Sequence, residues 1–255
     1  MDSWKEVVIA AAAFAAGLIN SIAGGGTLVS FPALLWTGRN PVLANATSTV
    51  ALWPASLAGV YGFRRELAGG ARWVLLFGVP SLLGGVIGAS LLLRTPSEVF
   101  ARLVPYLILF ATLLIALQEP LARRLRVKET DDDAPPSRAW RVGAVVFQFF
   151  VGIYGGYFGA GIGILMLAAL GLLGFTDIHR MNALKNLLAI LINGVAAAYF
   201  IASGAVIWAD VLVMTFAAIA GGYAGARLAY KLGRRFVRVV VILIGLVMSV
   251  SLFFK

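Results

Sequence analysis

The chain has 255 residues, 61% hydrophobic and only 13% charged, with a net charge of +10. An ordinary soluble domain carries about 25% charged residues, so this balance excludes a water-soluble fold, and the cations are read as membrane orientation signals before nucleic acid is considered. The chain contains no cysteine, which excludes disulfides, thiolate metal sites and thiol nucleophiles.

The N-terminal stretch "MDSWKEVVIAAAAFAAGL" has no net-positive leader and runs on into glycines rather than a cleavage site. It reads as part of the mature protein. From there, apolar segments fall at about 7–35, 43–63, 72–93, 98–118, 140–174, 181–201, 208–230 and 236–254. A bilayer core of roughly 30 Å needs about 20 helical residues, so the first and fifth segments are too long for single crossings. Both are interrupted by glycine-rich runs, "IAGGGTLVSFP" (22–32) and "YGGYFGAGIGIL" (154–165). Glycine permits left-handed backbone and weakens a helix by about 1 kcal/mol relative to alanine, so each run predicts a break or a reversal.

Segments one and two recur as segments five and six. Gly17, Gly24 and Gly26 align with Gly152, Gly159 and Gly161; after a two-residue offset Asn45 aligns with Asn182 and Ser56 with Asn193. The charged, proline-containing stretch "RRLRVKETDDDAPPSRAWR" lies between the copies. The reading is an all-α polytopic membrane protein of two repeats: residues 1–118, a hydrophilic linker over 119–139, and residues 140–255. Each repeat has a V-shaped or broken glycine-rich first segment followed by three transmembrane helices.

Charge chooses between topologies. Eight straight crossings divide the 21 Lys/Arg residues eleven to ten, which sets no orientation. If segments one and five turn back at their glycines, sixteen of the 21 fall on the linker side and five (Lys5, Arg39, Arg94, Arg102 and Lys255) on the other. The positive-inside rule then makes the linker cytoplasmic, leaves both termini outside, and inverts the second repeat relative to the first.

At 100° per residue, Asn182, Lys185, Asn186 and Asn193 share one helix face, and Asn45, Ser48, Thr49 and Ser56 share another. Reversal at the glycines would start short helices near Thr27 and Ile162, with free N–H groups and positive dipole ends aimed at mid-membrane. Such ends bind anions, and Gly24, Gly25, Gly26, Gly159, Gly161 and Gly163 would admit a solute close to the backbone. Asn20 and Ser21, just before the first glycine run, complete the candidate set. In-membrane charges are costly and usually functional, so Lys185 reads as the asymmetric cation of a small-anion site, with snorkelling to headgroups as its alternative. Trp53, Trp73, Trp140 and Trp208 read as interfacial anchors, and Asp177, His179 and Arg180 as a solvated loop, with a cytoplasmic gate as the second reading. No catalytic or metal-ligand cluster points to an enzyme, and no cofactor is implied.

The stretches "AGLINSIAGGGTLVSFPALL" and "NPVLANATSTVAL", with the second copy "VGIYGGYFGAGIGILMLAALGLLG" and "MNALKNLLAILIN", resemble the sulfite exporter TauE/SafE family of bacterial membrane permeases. The resemblance covers nearly the whole chain. It implies an inner-membrane exporter of small organosulfur or sulfur oxyanions or related organic anions, bound between the repeats at Gly24 to Thr27, Gly159 to Gly163, Asn45 to Thr49 and Asn182 to Asn186. Some relatives that take up thiosulfate use cysteines along the path, so their absence leaves sulfite, sulfoacetate or a carboxylate as the solute. An anion channel and a helix-packing scaffold are the rival readings. The partners expected are the anion and the lipid bilayer, without nucleic acid, and a homodimer is left open.

Overall fold

The computed structural model describes residues 3–22, 25–62, 71–126, 138–172, 175, 178–232 and 234–254. They form ten α-helices and no strand: α1 (Ser3–Ile22), α2 (Thr27–Trp36), α3 (Pro41–Gly62), α4 (Ala71–Arg94), α5 (Ser97–Arg126), α6 (Arg138–Tyr157), α7 (Ile162–Leu172), α8 (Ile178–Ala202), α9 (Trp208–Leu232) and α10 (Arg234–Phe253). Helices satisfy every backbone group internally, as lipid requires. Six of those described, α1, α4, α5, α8, α9 and α10, are long and apolar enough to cross a bilayer. At 22 residues, α3 has the length but carries Asn45, Thr47, Ser48, Thr49 and Ser56. Most of the central linker, 127–137, lies outside the described residues.

Both glycine-rich segments are broken, with unequal arms. The first arms, α1 and α6, have 20 residues each, and the second arms, α2 and α7, have 10 and 11. At 1.5 Å per residue these are about 30 Å against about 15 Å. The breaks carry left-handed glycines, Gly25 at φ 92° in one and Gly159 and Gly161 at φ 81° and 79° in the other.

Contacts between connections show how the hairpins run. Arg39, between α2 and α3, is bonded to Asp210 at the start of α9. Asn40 bonds Ser97 at the start of α5, and the same connections line a cavity of about 570 Å³ with Ser203 and Gly204. Elsewhere, Phe175, between α7 and α8, packs on Trp73 at the start of α4. Eight straight crossings would put Arg39 opposite Asp210 and Phe175 opposite Trp73; both pairs touch. The second hairpin therefore returns to the end it started from; α1 runs parallel to α9, Phe14 at Gly221 and Leu18 at Gly225, so it starts at the Arg39 end to which α2 returns, and α3 and α8 run antiparallel.

Each repeat's first helix packs mainly on the other repeat: α1 on α9, and α6 on α4. The remaining pairings are matched in the same way, α2 on α10 with α7 on α5, and α3 on α9 with α8 on α4, while α3 meets α8 and α5 meets α10. The two main seams are made by glycine. A Cβ on Gly17 or Gly221 would run into the backbone carbonyl of Ala218 or Phe14 across α1 and α9, and one on Gly84, Gly88 or Gly156 into Phe149, Ile153 or Gly85 across α4 and α6. Without a hydrophobic drive between helices in lipid, such close backbone approach supplies the packing energy. The outer surface is apolar, with Leu75, Phe216, Val247 and Phe254 exposed, as a lipid-facing surface must be. Trp4, Trp36 and Trp208, at the helix ends, are exposed in the manner of interfacial anchors.

Candidate functional site

The two glycine turns converge on α5. A Cβ at Gly25 would lie 2.7 Å from Ile115 Cδ1, and one at Gly161 3.5 Å from Ala111 Cα and 3.4 Å from Leu114 Cδ1. Residues 111 to 115 span about 6 Å of helix. The starts of α2 and α7 are thus brought to one level of the bundle.

The turns are braced alike. In the first, the Gly26 N–H donates to Asn20 Oδ1 at 2.7 Å; in the second, the Tyr154 hydroxyl donates to the Ala160 carbonyl at 2.8 Å. In each, a polar side chain from the last turns of the long arm holds backbone six residues on. An unpaired buried donor costs roughly 1–3 kcal/mol, and a neutral hydrogen bond contributes about 1. We expect Asn20→Ala to lower the detergent melting temperature more than Tyr154→Phe does, since the first orphans an amide inside the turn.

The second turn holds the cation. The Lys185 stem lies along the first turn of α7, where a Cβ on Gly163 would sit 3.2 Å from Lys185 Cδ, and its Nζ donates to Asn182 Oδ1 at 3.1 Å. Asn193 is placed beside the same turn, its Oδ1 3.5 Å from a Cβ built on Gly159. Lys185 and Asn182 thus lie at Gly163, while Asn193, about two turns further along α8, lies at Gly159; half-buried Asn186 follows Lys185. The stem of Lys185 lies against α7, and its ammonium turns back toward the start of α8.

The first repeat is built differently. Ser48, the counterpart of Lys185, is fully buried and shares a 2.7 Å hydrogen bond with Ser30 of α2, while Thr49 bonds back to the Asn45 carbonyl. Asn45 Nδ2 donates to the Tyr157 carbonyl at the end of α6, and its buried Oδ1 has no partner among the described residues. Ser56 bonds back to Leu52 O, and Ser21 is exposed, bonded to Leu18 O and facing Gly225 of α9. Half-buried Thr27 begins α2. Gly24 and Asp177 lie outside the described residues, as do the side chains of Trp140 and His179.

One residue assigned elsewhere by sequence belongs to the interior. Trp53, read as an interfacial anchor, is half-buried where α3 crosses α8: its indole N–H donates to the Ile190 carbonyl at 3.1 Å, against Gly194. Phe cannot make that bond, and Trp53→Phe is expected to cost about 1 kcal/mol in unfolding experiments. Trp73, read likewise, stays at a helix end, half-buried near the start of α4, where it packs on Phe175 and Phe77. Ser30 and Tyr154 were not among the sequence candidates; the signal that would have found Tyr154 is its place six residues before the turn, as with Asn20.

A helical membrane bundle with paired broken hairpins and polar turns inside it defines a transporter architecture. The family model for the sulfite exporter TauE/SafE matches residues 9–252, and the chain belongs to that family of membrane transporters. A "probable membrane transporter protein" of Haemophilus influenzae is 29% identical over 242 residues, covering 94% of this chain and 91% of the relative. The "probable membrane transporter protein YfcA" of Escherichia coli K12 is 30% identical over 244 residues, covering 95% and 87%. A Sinorhizobium relative, "probable membrane transporter protein ORF9", is 27% identical over 246 residues, covering 94% and 89%. No solved structure matches significantly.

Proposed function

We propose that this transporter exports a small organosulfur or sulfur oxyanion, such as sulfoacetate or sulfite, across the bacterial inner membrane. Alternating access between two inverted repeats carries it, with the linker in the cytoplasm. The observation that carries the reading is Lys185 itself, a cation whose stem packs on the first turn of α7, just past the turn that meets α5 near its counterpart from the first repeat. A cation near a helix N-terminus favours an anion by charge and by dipole, and the neutral amide of Asn182 beside it fits an oxyanion that has lost its water. The unpartnered Asn45 Oδ1 would accept from a bound water or from a protonated oxygen of the solute. The antiparallel α3 and α8, and the matched pairings of the two repeats, support rocking about their shared interface. The inside-negative potential would drive an anion outward with about 2.3 kcal/mol per charge per 100 mV.

Counterflow in liposomes tests this. Labelled sulfite or sulfoacetate should accumulate transiently against unlabelled anion inside, which a channel cannot produce. Accumulation with small carboxylates alone would move the substrate class, and linear leak would make the protein a channel. A reporter fused after Lys255 should read as external.

A further inference from the structure

Two contacts that contribute nothing to the anion site close the repeat interface at opposite ends. At one end the Arg39 guanidinium holds Asp210 through both carboxylate oxygens, Nε to Oδ2 at 2.8 Å and Nη2 to Oδ1 at 2.9 Å. Asp210 is 4% exposed, while the Arg39 side chain keeps 34%. At the other end Phe175 packs edge-on against Trp73 with ring centroids 4.9 Å apart; Phe77 stacks on Trp73, and the Arg180 guanidinium lies over Phe175.

The repeat relates these contacts to each other. The offset that takes Asn45 to Asn182 also takes Trp73 to Asp210, and takes Gly38, the neighbour of Arg39, to Phe175. Each contact thus joins the connection after a short helix of one repeat to the start of a long helix of the other: the α2–α3 connection to α9, and the α7–α8 connection to α4. The same structural place is filled by an ion pair at one end and by an aromatic cluster at the other. We propose that these contacts are the two gates of the carrier, an ionic clasp on the side away from the linker and an aromatic clasp on the linker side, released in alternation. The proposal rests on the alternating-access reading above.

The chemistry suits the task. Asp210 is held by a guanidinium that water already reaches, so an anion leaving toward that side can take its place on Arg39, exchanging one oxyanion partner for another. Bidentate carboxylate geometry is specific to Arg and is not reproduced by Lys. The aromatic clasp has no such competitor. It opens by separating apolar rings, so the two ends respond differently to an anion, with the ionic end answering to the solute on its way out.

The chain has no cysteine, so one introduced thiol reports without background. With Thr49→Cys in the polar stripe of α3, an impermeant maleimide is added from either side of oriented vesicles. Asp210→Asn should raise labelling several-fold from the side away from the linker and lower it from the linker side; Trp73→Ala should do the reverse. Exchanging the charges, Arg39→Asp with Asp210→Arg, should return labelling toward that of the parent. Arg39→Gln, at a partly exposed position, replaces Asp210→Asn if that variant is not recovered folded. Labelling that is unchanged, or that rises equally from both sides, would show that the contacts are merely structural and overturn the proposal. Reciprocal labelling in protein that moves no anion would leave the gates standing and remove the proposed solute instead. Counterflow with unmoved labelling would do the opposite.

Discussion

Gly88→Ala and Gly221→Ala are each expected to abolish recovery of folded protein from detergent, or to lower its melting temperature sharply, while Gly143→Ala is neutral or slightly stabilising. All three glycines are helical, so propensity alone favours alanine at each by up to about 1 kcal/mol. What differs is the space. A Cβ at Gly143 meets nothing within 4 Å, whereas at Gly88 it would collide with the Ile153 carbonyl of α6 and at Gly221 with the Phe14 carbonyl of α1. Those obstacles are backbone and cannot rotate away, so the helices must separate. Overpacking costs roughly 1–3 kcal/mol where side chains can adjust, and occasionally more; here the whole seam loosens and loses the close contacts that hold helices together in lipid. Size-exclusion profiles and thermal melts of the three variants check this. A well-behaved Gly221→Ala protein melting with the parent would show that the α1–α9 seam is not as drawn.

Lys185→Ala is expected to remove the thermal shift given by the best anion without lowering the melting temperature of the protein alone. A hydrogen bond to a charged group contributes roughly 1.5–3 kcal/mol, so affinity should fall about ten- to a hundredfold, and stabilisation by ligand falls with it. The ligand-free protein moves in the other sense, if at all. A cation inside a membrane helix is costly, and alanine relieves that cost and is the better helix former. A panel of sulfite, sulfoacetate, sulfate, thiosulfate and small carboxylates, each melted with parent and variant, separates the two effects. If the best ligand stabilises the variant equally well, Lys185 lies outside its site. Gly163→Val, which would push on the Lys185 stem from α7, should weaken the same ligand while leaving the charge in place.

The helical course of the chain and its two reversals were legible, because bilayer length and the Lys/Arg bias are properties of whole segments and survive local detail. The short second arms were legible too, since the glycine runs put their starts near Thr27 and Ile162, where α2 and α7 begin. Arg39 entered that count as one of five charges away from the linker, and the structure puts it at that end of the bundle, beside the start of α9. Its partner was not legible: Asp210 is 171 residues away, and no local pattern joins them. Within the stripes, helical spacing put Lys185 and Asn193 on the face of α8 that meets the second hairpin but could not distinguish a residue facing a hairpin turn from one locked into packing. Lys185 lies against the start of α7, while Ser48, at the matching position, is closed off by Ser30, a lone hydroxyl in "LVSFPALL". Trp53 was misplaced for a related reason, because tryptophan in a membrane segment is commonest at the interface and its acceptor, a backbone carbonyl of α8, leaves no mark in the sequence.

The exchange of first helices between repeats bears on how the chain is made. When α6 emerges from the ribosome its partner α4 is already in the membrane, so that seam can close at once. Gly17 of α1 must wait for Ala218 of α9, a delay of roughly 10 to 40 s at ordinary synthesis rates. For that interval the glycine face of the first helix has no mate of its own chain, and it is the stretch of this protein most in need of the insertion machinery or a chaperone to keep it from pairing with a stranger.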